Sequence, residues 1–315
     1  MYGPLIIDLE GTRVAATEHV ILRHQNTGAV LLFTRNYQNR QQLSELVREI
    51  RDIAGKPLLI MVDHEGGRIW RFDAGFRRTP AAASFGSLYS SDAVSALQQA
   101  YAAGKTIAED LLTCGVDLTL APVLDLAWGN STVIGDRAFH ADPQVVTNVA
   151  RAFIDGLASM GMAAVGKHFP GHGYCTVDTH DAIGKDERTF AEIKAKDLLP
   201  FTQLHTVLQG IMPAHVIYPQ VENVPTGFSK CWLQTVLREQ IGFAGAIISD
   251  CLSMKGLGED GTFLTKAHKV LNAGCDLVIL TQQTRQAVRE VLDNLEWNLD
   301  TTQQARIKAL GFVAC

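Results

Sequence analysis

The segment from Gly166 to Asp181, GKHFPGHGYCTVDTHD, gathers Lys167, His168, His172, Asp178, His180 and Asp181 into one stretch broken by glycines and a proline. It has neither a helical nor a strand period, and Val165, Phe169 and Val177 are the apolar residues that stand out. It therefore reads as a functional loop behind an apolar run. Asp178 precedes His180 by two residues, and a carboxylate near an imidazole can orient it and keep it protonatable near neutral pH, as an acid/base requires. Asp250 has a different setting. It follows AIIS and precedes CLSM, so its carboxylate is mounted at the end of an apolar strand with little freedom, as a covalent nucleophile requires. Each residue has a bland alternative, an exposed loop histidine and an aspartate capping the next helix.

The elements that would position these groups repeat along the chain. Eight short apolar runs recur, at residues 5–9, 29–33, 58–62, 116–124, 162–165, 210–212, 246–248 and 277–280. Between them lie stripes of helical period: Leu43, Leu46, Val47 and Ile50; Val146, Val149, Phe153 and Leu157; Leu233, Val236, Leu237 and Ile241; Val288, Val291, Leu292 and Leu295. Core packing is the expected use of such stripes. Two of them stop at or near glycines, Gly161 and Gly242, as helix C-termini do. Continuous apolar strands separated by helices predict a parallel sheet covered by helices. Eight such units fit a closed (β/α)8 barrel of the TIM type. No GxGxxG turn follows the first strand and no linker divides the chain, so an α/β fold of one barrel over residues 1–315 is expected, ahead of an open doubly wound sheet.

A parallel barrel carries its chemistry at the C-terminal ends of its strands. Those ends hold Asp8 and Glu10, Arg35, Asp63 and Glu65, Asp125, Lys167 and His168, His215, Asp250, and Thr281 with the glutamines after it. One polar residue there would be a solvated cap; this many on one face predict a shared pocket. Its mixture of acids with Lys and Arg suits a small neutral substrate rich in hydroxyls.

The charge balance is a mild -5, with no run of Lys/Arg, which gives a nucleic-acid face little support. The N-terminus lacks the basic segment of a signal peptide, and no apolar run approaches a membrane span of roughly 18 residues. The six cysteines are scattered without a CxxC pair, suggesting reduced thiols in a cytoplasmic protein. Neither nucleic acid nor membrane is expected as a partner.

Two chemistries then compete. In a glycosidase, Asp250 attacks the anomeric carbon while His180 serves as acid and then base, an exception to the usual pair of carboxyl groups. In a metal hydrolase, His168, His172, His180 and His215 are ligands. Phe169, Pro170 and Gly171 forbid a regular helix between the first two histidines, so no metal and no cofactor is expected.

At these residues the chain resembles glycoside hydrolase family 3, most closely the bacterial single-domain β-N-acetylglucosaminidases (β-hexosaminidases) of cell-wall recycling. The matching motifs are LIIDLEG, LLFTRNY, MVDHEGGRIWRF, DLTLAPVLDL, IGDRAFHADP, GKHFPGHG with DTH, IMPAHVIYP and IISDCLSM. The resemblance implies that Asp250 is the nucleophile, that His180 is the acid/base on a mobile loop, and that Asp178 is its dyad partner. It implies that Asp63, Arg71, Arg137, Lys167 and His168 bind the terminal sugar. The substrate implied is a small-molecule carbohydrate, a muropeptide fragment, handled by a cytoplasmic monomer. A His acid/base beside an anionic nucleophile leaves room for an anionic acceptor, so phosphorolysis is a second reading, as are a substrate-assisted mechanism and a barrel that only binds. The chain departs from the family pattern at Cys251, where Asp is common, at His64, where Gln is usual, and in DAIGKDER after His180, which lacks the usual Pro. Pro170 and the neighbouring glycines read as a hinge between a fixed half of the opening segment and a mobile half.

Overall fold

A computed structural model describes residues 1–311 apart from Asp178, His180, Asp181, Glu259 and Asp260. Eight parallel strands follow the eight apolar runs: Leu5–Ile7, Thr27–Leu32, Leu59–Val62, Leu118–Thr119, Val165–Phe169, Gly210–Pro213, Ala246–Ile247 and Val278–Ile279. The last strand pairs with the first, and the order then runs through the second and third to the fourth. The fifth, sixth and seventh form the other arc. Parallel bridges at Val123–Lys167 and Ile248–Leu277 join the arcs into a closed barrel. The first three strands are buried along their whole length, which is why they read as unbroken apolar runs rather than alternating ones.

Helices sheathe the ring. Arg40–Ala54 buries Leu43, Leu46, Val47 and Ile50, Pro143–Ala158 buries Val146, Val149, Phe153 and Leu157, and Arg285–Asn294 buries Val288, Val291 and Leu292. The stripe around Leu233 lies in Cys231–Gln240, which is wound more widely than an α-helix, with hydrogen bonds spanning five residues such as Ile241 N–H to Val236 O. It ends before Gly242, at φ 82°, where a side chain would be disfavoured.

Two features differ from the sequence expectation. The fourth run is regular only at Leu118–Thr119; beyond it Pro122 offers no N–H, and the chain hands its pairing across to the fifth strand through Lys167 N–H to Pro122 O and Leu124 N–H to Lys167 O. A small additional sheet joins Gly184–Lys185, Val216–Tyr218 and Glu222–Pro225. Among the described residues no helix is long and apolar enough to cross a membrane.

Candidate active site

A cavity of about 160 Å³ at the C-terminal ends of the strands is lined by Asp63, Arg71, Arg137, Lys167, His168 and Asp250, together with Glu65, His172, Thr179 and Cys251. Six of the eight expected site residues therefore meet in one place. Asp178 and His180 lie outside the described residues.

The fifth strand supplies two neighbours to the same pocket. Successive side chains of a regular strand point to opposite faces, yet both Lys167 and His168 line the cavity. The register against Gly210–Pro213 shifts between Lys167 and Phe169, an irregularity of the kind that re-aims side chains.

Lys167 organises one wall. Its Nζ donates to Asp63 Oδ1 at 2.8 Å and lies 2.6 Å from Glu65 Oε1. Arg137 forks onto Glu65 through Nε and Nη2, both at 2.8 Å, a bidentate geometry that fixes both planes. Burial would raise the Glu65 pKa, but Arg137 and Lys167 outweigh it and hold the carboxyl below its ordinary range. Burial likewise opposes the charge on Lys167, and Asp63 and Glu65 reverse that effect and raise its pKa. Asp63, with 23% of its side chain exposed against 8% for Glu65, is the acid left with accessible oxygen for a ligand hydroxyl.

Asp125 holds a second group. Its Oδ2 is 2.7 Å from His168 Nδ1, and its Oδ1 accepts the backbone N–H of both His168 and His172, at 3.3 and 2.6 Å. Burial favours protonated Asp125, but His168 outweighs it and the pKa is lowered. With Nδ1 engaged, His168 turns its other ring nitrogen away from Asp125, an orientation set by this one partner. His172 Nε2 is 2.9 Å from Thr179 Oγ1, and Thr179 O accepts the Gly256 N–H at 2.8 Å. Thr179, the residue between Asp178 and His180 in sequence, is thus buried and tethered at the pocket.

The hinge expected at the glycines is not built for freedom. A Cβ on Gly171 would meet Asp197 Cβ at 2.8 Å and one on Gly173 would meet Leu126 O at 2.0 Å. These glycines serve close approach of the backbone, and Tyr218 Oη donates to Gly171 O at 2.6 Å.

Asp250 follows the seventh strand. Its Oδ1 accepts the Cys251 N–H at 2.7 Å, which fixes the carboxylate at the pocket. His215, fully buried, has its pKa lowered by burial against the opposing effect of Asp250. Arg71 lines the cavity, and its buried Nε has no hydrogen-bond partner among the described residues. The turn that carries Arg71 is held by His64, whose Nδ1 accepts the Arg71 N–H at 3.3 Å and whose ring lies 3.8 Å from that of Trp70. Burial pushes the His64 pKa down to about 3, so the imidazole is neutral and can accept.

Glu65, Asp125 and Thr179 are site residues that the sequence did not single out for a role. The first two were visible as polar strand ends, as was His215, which entered only as a candidate metal ligand; Thr179 had no signal beyond its place in the DTH triplet. Among the described residues no group of three or more His, Cys, Asp or Glu side chains is placed to hold a metal ion.

Comparisons with known proteins bear on the family and the fold. The N-terminal domain of glycosyl hydrolase family 3 matches residues 5–310. A β-hexosaminidase of Nitrosospira multiformis is 47% identical over 298 residues, which cover 94% of this chain and 85% of the relative. One of Bordetella avium is 48% identical over 280 residues, 88% of this chain and 80% of the relative. The crystal structure of NagZ from Neisseria gonorrhoeae in complex with N-trifluoroacetyl-D-glucosamine is 40% identical with a TM-score of 0.94, covering 99% of this chain and 90% of that one. With the barrel, the pocket and these relatives in agreement, the chain belongs to glycosyl hydrolase family 3 and is a glycoside hydrolase.

Proposed function

We propose that this chain is a retaining exo-β-N-acetylglucosaminidase that removes terminal non-reducing GlcNAc from muropeptide fragments such as GlcNAc-anhydroMurNAc. It acts as a cytoplasmic monomer, a single barrel over residues 1–315, with neither metal nor cofactor. The observation that carries the reading is that Asp250 lines the same cavity as Asp63, Arg71, Arg137, Lys167 and His168. A nucleophile therefore faces a set of hydroxyl binders. The relatives named β-hexosaminidase and the NagZ complex with an N-acyl glucosamine analogue support the sugar assignment.

Asp250 attacks the anomeric carbon, forming a glycosyl ester as the bond to the leaving oxygen breaks. His180 gives its proton to that oxygen, oriented by Asp178. Water then attacks the anomeric carbon, His180 takes its proton, and the Asp250 carboxylate leaves, so that the β-configuration is restored. Asp63 accepts from sugar hydroxyls, while Lys167 and Arg137 donate to oxygens whose hydrogen bonds strengthen as the ring distorts toward an oxocarbenium ion. Arg71 and His168 complete the set that fixes the sugar ring.

The test is a panel of aryl β-glycosides assayed on wild type, Asp250→Ala and His180→Ala. Strong preference for GlcNAc over glucose and near-total loss in Asp250→Ala are expected. His180→Ala should lose less when the leaving group is already acidic. Equal losses on all leaving groups would contradict the acid role. A sugar 1-phosphate as the main product in phosphate buffer would replace hydrolysis by phosphorolysis.

A further inference from the structure

The nucleophile and the acid/base of the proposed reaction belong to separate segments. Asp250 opens the segment after the seventh strand, and Thr179, flanked in sequence by Asp178 and His180, belongs to the segment after the fifth. Asp250 and Thr179 both line the active-site cavity. The two segments also touch directly, where the Gly256 N–H donates to Thr179 O at 2.8 Å.

That contact has no room for a side chain. A Cβ on Gly256 would lie 2.8 Å from His215 O, 2.9 Å from Thr179 Cβ and 3.0 Å from Thr179 O. A second glycine closes on the same threonine: a Cβ on Gly184 would lie 2.9 Å from Thr179 Cγ2 and 2.6 Å from Cys175 Sγ. Neither glycine has a positive φ, so it is the closeness of the packing, not the backbone conformation, that calls for glycine at both places. The Thr179 hydroxyl meets His172 Nε2 at 2.9 Å, and His172 is itself fixed by its N–H on Asp125 Oδ1 at 2.6 Å. Thr179 is thus held at three points in a closed seat.

The seat is rigidly joined to the nucleophile. Gly256 stands six residues after Asp250, and the chain between them is anchored to the barrel. Leu252 is fully buried with its N–H on Ile279 O at 2.9 Å, and Cys251 O lies 3.2 Å from His215 Nε2. Gly256 itself lies in the single turn Lys255–Leu257, whose Leu257 is buried.

We propose that Gly256 and Gly184 are positioning residues for the acid/base. They seat Thr179, which is one peptide bond from Asp178 and one from His180, and so set the acid against the nucleophile. A general acid acts only within hydrogen-bond reach of the leaving oxygen. This rests on the glycosidase reading above and adds to it the contact that couples its two catalytic segments.

The experiment assays wild type, Gly256→Ala and Gly184→Ala on chitobiose, whose leaving sugar needs a proton, and on dinitrophenyl β-GlcNAc, whose phenolate leaves without one. In both variants kcat/KM should fall about a hundredfold on chitobiose, the effect of displacing a catalytic group by roughly 1 Å, and about twofold on the dinitrophenyl glycoside. Azide should then raise kcat on the dinitrophenyl substrate in the variants and yield the β-glycosyl azide. It attacks the anomeric carbon of the glycosyl ester as the Asp250 carboxylate leaves, with no base required. Should Gly256→Ala fail to fold, Gly184→Ala decides, because its new methyl meets only side-chain ends. Equal losses on the two substrates, wild-type rates in the folded variants, or no response to azide would each overturn the proposal. Absence of turnover of both substrates by the wild type would instead overturn the glycosidase reading, and this coupling with it.

Discussion

Lys167 and Glu65, brought together by the fifth and third strands, meet at 2.6 Å at the active-site pocket, with the Lys167 side chain 3% exposed. The lysine sits between two carboxylates, Glu65 and Asp63, while Arg137 forks onto Glu65. Four charges are thus held in fixed order, and Asp63 is the acid that keeps an exposed edge.

Removing the lysine should damage both the wall and the fold. Lys167→Met leaves Glu65 with Arg137 alone and Asp63 without its cation. Breaking a buried ion pair from one side costs about 3–5 kcal/mol. Urea unfolding should show that loss, with hydrolysis falling by orders of magnitude; stability within about 0.5 kcal/mol of wild type would mean that the network is not structural.

Thr179 offers a more local test. Thr179→Val keeps the shape but deletes the hydroxyl that meets His172 Nε2 at 2.9 Å. His172 Nδ1 already has no partner among the described residues, so the change leaves a buried imidazole unpaired, at about 1–3 kcal/mol. Because Thr179 stands between Asp178 and His180, kcat on poor leaving groups should fall more than kcat on good ones. Equal kcat losses would argue that the tether does not serve the acid.

The buried histidines set a sign for the pH dependence. Burial lowers the pKa of His64, His172 and His215, so at mildly acid pH the unfolded chain binds more protons than the folded one. Their contribution is complete above the unfolded value of about 6.5 and is lost as pH falls below it. For His64 the loss continues toward about 3. Stability by urea unfolding should decrease from pH 7.5 to 5.5, and His64→Gln should flatten that slope. A slope unchanged by the substitution would contradict the buried neutral imidazole.

The barrel was readable because parallel strands buried on both faces leave unbroken apolar runs, such as Leu5–Ile7 and Leu59–Val62. The 21-residue helix Ala93–Thr113 left no such trace, since much of its buried face is Ala96, Ala100, Ala103, Gly104 and Ala108. A Cβ on Gly104 would lie 2.1 Å from Phe153 O, and one on Gly156 would lie 2.1 Å from Tyr101 O. The two backbones touch through small residues, which carry no stripe of large apolar ones.

The pocket was legible at Asp63, Lys167, His168 and Asp250, which line it, because a polar or charged residue at the end of an apolar run is conspicuous. Asp125 was visible as a polar strand end, but its pairing with His168 and His172 was not. Nor was the role of His64, whose accepting nitrogen matters through Arg71. Such roles depend on which strands neighbour one another across the ring. The glycines of the opening segment looked like a hinge for the same reason: only the fold reveals Leu126 O against Gly173.

The central claim, that Asp250 forms a covalent bond with the sugar, is tested most directly by trapping. A fluorinated GlcNAc-type glycoside with an activated leaving group slows release from the enzyme, and peptide mapping then locates the label. The account predicts one sugar per chain, on Asp250 in the peptide containing SDCLSM. Label on another residue, or steady turnover with no trapped ester, would contradict it.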